Sequence, residues 1–265
     1  MSEDLKIEDV NLSEVFLEVL SKNDESLLTE FLDEQNISDV VELVNEFPEQ
    51  EANIINHMTV HRAVSVFKIL DINQQKDRMR FRENIKRISY CIAYELSKQL
   101  AYSEEDVTSP LAQTKGDVLS EQPVIALVLR AGLAMHNGFL DMFDMADHCF
   151  ISAYREEGSK ENIKVHVDYL ASTDLTDRTV ILIDPMLATG SSLVLGYQAL
   201  LKKGTPKTIY VASIVAAPEG VEMIKENIPI DTFFTASIDK ELNDQAYIVP
   251  GLGDAGDLAY GHKLS

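Results

Sequence analysis

The chain has 265 residues, 45% hydrophobic and 25% charged, ordinary values for a globular protein with a real core. Its formal net charge of −21 is concentrated in residues 1–70, where 16 acidic side chains face 4 basic ones for a net −12, so that segment is no surface for nucleic acid or an anionic membrane. Apolar runs such as Ile209 to Ala217 stay far below the roughly 18 residues of a membrane span, Met1 to Val10 are too acidic and polar to read as a signal peptide, and two cysteines, Cys91 and Cys149, fit small core residues in a reducing, cytoplasmic setting.

Residues 1–70 read as a series of short helices. Phe16, Val19 and Leu20, then Leu27, Leu28, Phe31 and Leu32, then Val40, Val41, Leu43 and Val44 recur at helical spacing. Ser26, Ser38 and Thr59 are expected N-caps, with breaks at Asn36 and Pro48. His57 and His61 are four apart and could share a helix face, but no partner follows at metal spacing, so they read as plain polar helix residues. Residues 37–70 weakly resemble the helical N-terminal domain of MgtE-type magnesium transporters; a packing or dimerisation module is the preferred reading of this acidic extension.

Residues 76–100 predict one longer helix with the stripe Phe81, Ile85, Ile88, Ile92 and Leu96. Its basic first half, Lys76, Arg78, Arg80, Arg82, Lys86 and Arg87, reads as a solvated face. From Pro123 the pattern changes. Short apolar runs at Val124 to Leu129, Val180 to Ile183 and Ile209 to Val215 alternate with helical stretches at Leu133 to Phe143, Leu193 to Lys202 and Val221 to Asn227. That alternation predicts an α/β fold, a mostly parallel sheet flanked by helices, with the α-helical extension before it. Val165 to Leu170 alternates differently and is expected as a hairpin arm outside the sheet. The domain division expected is 1–70 and 71–265.

In such sheets ligands bind beyond the carboxyl ends of the strands. The stretch Thr179 to Leu193 has the form strand, acid, short loop, small residues, helix. Small residues at Ala188 to Ser192 let backbone N–H groups approach an anion, Thr189, Ser191 and Ser192 add hydroxyls, and the helix that follows presents the positive end of its dipole. This is a cradle for a phosphate monoester, with Asp184 placed to accept from sugar hydroxyls. No G-x-x-x-x-G-K-[ST] and no G-x-G-x-x-G occurs, which disfavours a nucleoside triphosphatase or dinucleotide oxidoreductase. Arg130 and Arg155 stand at strand ends, where guanidinium groups could bind phosphate oxygens in a fork. Tyr247 to Asp257 packs three glycines and a proline into eleven residues, so it can be neither a regular helix nor a central strand and reads as a loop.

Asp184-Pro185-Met186-Leu187-Ala188-Thr189-Gly190 resembles the phosphoribosyl pyrophosphate (PRPP) loop of type I phosphoribosyltransferases in its uracil-enzyme form, with Asp-Pro in place of two acids. The usual Gly-Gly-Ser continuation is Gly190-Ser191-Ser192 here, so Ser191 should keep a negative φ. Tyr247 to Asp257 matches the uracil loop of that family, although Leu258 follows Asp257 where a basic residue is usual. The resemblance covers residues 71–265 and implies the type I phosphoribosyltransferase fold and the reaction of uracil with PRPP to give UMP and pyrophosphate. It implies PRPP contacts from Arg130, Arg155, Asp184, Pro185, Met186, Leu187, Ala188, Thr189, Gly190, Ser191, Ser192 and Asp254. The base would meet Ile248, Gly253, Asp254 and Ala255, and catalysis would fall to Arg130, Asp184 and Asp254. A Mg2+ ion carried mainly by PRPP is implied, with no metal site made by protein alone, as is a homo-oligomer, dimer or higher. Val215 to Val221 is also family-like and is given a structural role. Another base, or a non-catalytic PRPP or UMP sensor, are the alternatives; the role of residues 1–70 and control by GTP stay open.

Overall fold

The structure is a computed structural model that describes the backbone of residues 11–69, 77–155 and 165–262, and the side chains of these apart from 67–69, 153–155 and 165–168. The chain divides into two compact units, Met1–Asp71 and Ile72–Ser265.

The first unit is built of helices α1 (Leu12–Ser21), α2 (Glu25–Glu34), α3 (Ile37–Glu46), α4 (Glu51–Asn56) and α5 (Val60–Ile69), with a 3-10 turn at Pro48–Gln50 before α4. Each of the first three starts where a short polar side chain takes first-turn amides: Asn11 accepts from Ser13 N–H, Asp24 from Ser26 and Leu27, and Asn36 from Asp39. Ser26 and Ser38 therefore sit inside the first turn, and the caps expected there fall to Asp24 and Asn36, whose side chains lead those turns. Thr59 does lead α5, its hydroxyl accepting from Arg62 N–H at 3.4 Å and its carbonyl from Ala63 N–H at 2.9 Å. The apolar stripes meet in a core of Phe16, Leu32, Val40, Leu43, Val44 and Ile54, all fully buried. His57 caps the C-terminus of α4 and His61 lies in α5, so an interruption of the helix at Met58–Thr59 separates them and they share no helix.

The second unit opens with α6 (Arg78–Ser97), capped by Asp77, whose Phe81, Ile85, Ile88, Ile92 and Leu96 are all buried. Its basic face is less free than its sequence suggests. Lys86 pairs with Asp141 at 2.9 Å, and Arg82 donates to the Ala259 carbonyl at 2.8 Å. Lys76 lies outside the described residues. A hairpin of β1 (Tyr102–Thr108) and β2 (Gln113–Leu119) follows, exposed along nearly its whole length.

The main sheet takes β3 (Val124–Val128), β4 (Asp147–Arg155), β5 (Val165–Ala171), β6 (Thr179–Ile183), β7 (Met186–Leu187), β8 (Thr208–Ala216) and β9 (Thr232–Ile238). Its order is β5-β4-β3-β6-β8-β9, with β7 continuing the line of β6 beside β8. All pairs are parallel except β4 with β5. The segment read as an arm outside the sheet is thus its antiparallel edge strand; period-two patterning marks one covered face, which an edge strand has, and cannot separate that from a free arm. Helices α7 (Gly132–Met142), α8 (Ser191–Leu200) and α9 (Pro218–Asn227) fill the crossovers. β3 and β8 are buried almost end to end because both sheet faces are covered, which is why they read as unbroken apolar runs. Cys149 is fully buried in the core between sheet and helices, and Cys91 is half-buried on α6; both are free thiols. Among the described residues, no helix is long and apolar enough to cross a membrane. Two two-residue strands, β10 (Glu241–Leu242) and β11 (Ile248–Val249), and the short α10 (Ala255–Tyr260) close the unit.

Candidate active site

The carboxyl ends of β3, β6 and β8 lie side by side, with Arg130 after the first and the Asp184 loop after the second. β6 ends at Ile183, paired with Ala212; the ladder resumes at Met186, paired with Val215. Between them stand Asp184 and Pro185. Proline has no N–H to give a ladder, and here its carbonyl takes the amides of Ile214 and Val215 at 3.0 and 3.1 Å. The chain thus keeps strand register through the break and delivers Ala188 to Ser192 past the sheet edge.

Gly190 turns the chain with φ 76° and leads directly into α8. Gly190 gives that helix no side-chain cap, and its first turn carries no acid; its first amide, Ser191 N–H, donates to the Thr189 hydroxyl at 3.4 Å, and the positive end of the dipole lies at this turn. Ser191 is its first residue and has a negative φ, as the loop departure required. The Thr189 hydroxyl donates to Ser191 Oγ at 3.0 Å, so the two hydroxyls form one cluster at the turn. The loop is held from behind by α9. A Cβ on Gly220 would run into the carbonyl oxygens of Ala188 and Leu187, so only glycine lets α9 approach this closely. The Leu187 side chain points away into the core and contributes backbone alone.

Asp184 is 9% exposed. Burial pushes its carboxyl up to about 7; a hydrogen bond from Met186 N–H works against that, and the Asp254 charge adds to the rise. Asp184 and Asp254 therefore sense one another across the site. Asp254 caps α10, its Oδ1 accepting from Asp257 N–H at 2.8 Å. The segment expected as loop therefore turns helical from Ala255, with Asp254 three residues before Asp257 as its cap.

Arg130 follows β3. Its guanidinium donates to Asp257 Oδ1 at 2.9 Å and to the Gly261 carbonyl at 3.0 Å, and Asp257 Oδ2 meets His262 Nδ1 at 2.8 Å. The cation expected at the pyrophosphate end is thus tied to α10, which follows the glycine-rich loop, through Asp257, the last residue of the Tyr247–Asp257 motif, and through Gly261, while His262, outside every motif, meets the same Asp257. Arg155 ends β4, and its side chain lies outside the described residues.

A cavity of about 310 Å³ joins these parts. Ala131, Met186 and Ala188 line one side, and Ala246 to Ile248 with Gly253 to Gly256 line the other. Met186, Ala188, Ile248, Gly253, Asp254 and Ala255 are therefore brought together around one space, whereas Arg130, Asp184 and Thr189 to Ser192 stand around it without lining it. Among the described residues no three His, Cys, Asp or Glu side chains cluster as ligands for a metal ion.

The uracil phosphoribosyltransferase family model matches residues 55–262. A uracil phosphoribosyltransferase of Porphyromonas gingivalis is 48% identical over 200 residues, covering 75% of this chain and 93% of its own. One from Limosilactobacillus fermentum is 41% identical, covering 69% and 87%, and one from Pyrococcus furiosus is 38% identical, covering 72% and 83%. A solved Aquifex aeolicus protein superposes with TM-score 0.64 at 30% identity, over 73% of this chain and 93% of that one. The likeness of residues 37–70 to magnesium-transporter helices is not borne out: the phosphoribosyltransferase match begins within that stretch, and apolar residues at helical spacing are common to any small helical bundle. With a mostly parallel sheet, an Asp-Pro loop and a glycine-rich loop sharing one cavity, and relatives aligned across nearly their whole length, the chain belongs to the uracil phosphoribosyltransferase family, a family of pentosyl-transferring enzymes.

Proposed function

We propose that this chain joins uracil N1 to C1 of PRPP, releasing pyrophosphate and forming UMP, in the cavity between the Met186–Ala188 edge and the Ile248–Gly256 loop. The observation that carries the reading is that cavity: it is where a 5′-phosphate seated on Ala188 to Ser192 and a ring seated on Ile248 to Ala255 would share one ribose. The first-turn amides of α8 and the Thr189–Ser191 hydroxyls anchor the phosphate. Asp184 takes the ribose hydroxyls, with Pro185 and Gly190 shaping the loop. Arg130 and Arg155 hold the pyrophosphate as charge develops on it, so the protein acts by positioning and electrostatics. Asp254 Oδ1 serves the helix cap, leaving Oδ2 for the base or the ribose. Uracil is told from cytosine because backbone groups of Ile248, Gly253 and Ala255 would face a donor where uracil offers O4.

Two carboxylates that repel one another, one of them pushed towards its neutral form, suit a nearby divalent cation held chiefly by phosphate oxygens. Mg2+ brought with PRPP supplies charge neutralisation of the pyrophosphate when bound, and Asp184 and Asp254 are the groups that would face it. Residues 71–265 constitute the enzyme and 1–70 an appended acidic unit. Assembly as a homo-oligomer fits the bare β1–β2 hairpin, whose tip residue Leu111 is 97% exposed. The cytoplasm supplies the substrates and keeps both thiols reduced.

The test is pyrophosphate release from PRPP and Mg2+ in the presence of uracil, cytosine, adenine or hypoxanthine. Release with uracil alone supports the reading. Release with a different base keeps the phosphate loop and overturns the ring loop. Binding of PRPP or UMP without release with any base favours a sensor.

A further inference from the structure

The ring-reading loop has little regular structure to hold it. β10 and β11 pair over only two residues each, and the chain then passes through Gly251 and Gly253 at φ 59° and 81° before α10 begins. A loop that reads a planar ring with backbone groups must nevertheless be held to a fraction of an ångström. Asp239 supplies a fixed point. It lies just after β9, outside every motif named above, and is 8% exposed. Its Oδ2 accepts from Gly251 N–H at 2.8 Å, in a buried bond, and its Oδ1 accepts from the Ser237 hydroxyl at 3.0 Å. Its own N–H donates to the Ala216 carbonyl at 2.8 Å. Ala216 in turn is the β8 partner of Leu187 on the phosphate side. One short path, Leu187 to Ala216 to Asp239 to Gly251, therefore sets the spacing between the two loops.

We propose that Asp239 is a positioning residue for base recognition: by fixing Gly251 it places the backbone of Ile248 and of Gly253 to Ala255 for the pyrimidine, and so sets affinity and selectivity for the base without touching it. This rests on the reading of Ile248–Ala255 as the base loop. Gly251 cannot be replaced by a larger residue, because a Cβ there would run into the Ile248 carbonyl oxygen, and its positive φ belongs to glycine. Bonds from a buried carboxylate to a backbone amide are among the stronger hydrogen bonds, and their loss leaves the amide unsatisfied.

The experiment compares Asp239→Ala and Asp239→Asn with the parent full-length chain, reading kcat, KM for uracil at saturating PRPP, KM for PRPP at saturating uracil, and the uracil-to-cytosine ratio of kcat/KM. Asp239→Ala should raise the uracil KM by about tenfold or more and lower the base ratio, with the PRPP KM within about twofold. Asp239→Asn should restore most of the loss, since its amide oxygen can accept from Gly251 while its NH2 donates to Ser237 Oγ. An unchanged uracil KM in Asp239→Ala overturns the proposal. So does a parallel rise in both KM values that asparagine does not rescue, because that is the mark of a merely structural residue. If Asp239→Ala fails to fold, Asp239→Ser, too short to reach Gly251, takes its place with the same readouts; failure of both to fold also counts against the proposal. Ala255→Leu separates the two readings. If it raises the uracil KM while Asp239→Ala does not, only the positioning role falls; if it leaves the uracil KM unchanged, the base-loop reading itself falls.

Discussion

Replacing Asp184 by Asn should make the ligand-free protein more stable and much less active. Burial, reinforced by the Asp254 charge, holds this carboxyl at about 7 against an ordinary 3.8. Below pH 4 the folded and unfolded chains both carry the proton, and the group costs nothing. Between about 4 and 7 the folded protein keeps the proton that the unfolded chain has released, so stability falls as pH rises, and above 7 the full cost is in place. Three units correspond to about 4 kcal/mol as a ceiling, at about 1.4 kcal/mol per unit. Asparagine keeps the shape and an oxygen for Met186 N–H but cannot ionise. Urea denaturation without PRPP or Mg2+ should give the variant a higher midpoint at pH 8, a gap that closes towards pH 4.5. In the assay with uracil, loss of charged contacts to ribose should cost about 100-fold in kcat/KM. A midpoint difference that is independent of pH, or a variant less stable at pH 8, refutes the reasoning that Asp184 is held under electrostatic strain for its task.

Gly220→Ala should push the phosphate loop outward from the carbonyl oxygens of Ala188 and Leu187, raising the KM for PRPP about tenfold or more with little change in uracil KM, as steady-state kinetics would show. Arg130→Lys keeps a charge but loses the fork shared between Asp257 and the Gly261 carbonyl; kcat should fall by at least about tenfold, measured at saturating PRPP. Burial beside His148 lowers His136 to about 4, so the stability it contributes is complete above pH 6.5 and is lost as pH falls from there through 4. His136→Phe should flatten that part of the acid unfolding curve. A chain beginning at Ile72 should fold and form UMP at close to the parent rate; loss of activity would make the helical unit part of the enzyme.

Much of this architecture is visible in residue order because parallel strands covered on both faces must be apolar throughout, as at Val124–Val128 and Thr208–Ala216. The turn after β6 is legible for a related reason: Ala188 to Ser192 are all small, and Gly190 turns left-handed into the helix. What composition hides is pairing across long separations. Nothing local in Val165–Ala171 tells an edge strand from a free arm. Nothing near Asp239 announces Gly251, twelve residues on, and nothing near Arg130 announces Asp257. At the N-termini of α2 and α3, Asp24 and Asn36 are as good caps as the serines two residues on, and composition does not choose between them.

The central claim is that the phosphoribosyl group and the pyrimidine meet in the cavity between Ala188 and Ala255. A crystal structure with UMP tests it most directly. The 5′-phosphate should lie on the amides and hydroxyls of Ala188 to Ser192 and the uracil ring in plane with the backbone of Ile248 and Gly253 to Ala255, with Gly251 still bound to Asp239. A nucleotide seated elsewhere, or a ring turned away from Ile248 to Ala255, would contradict it.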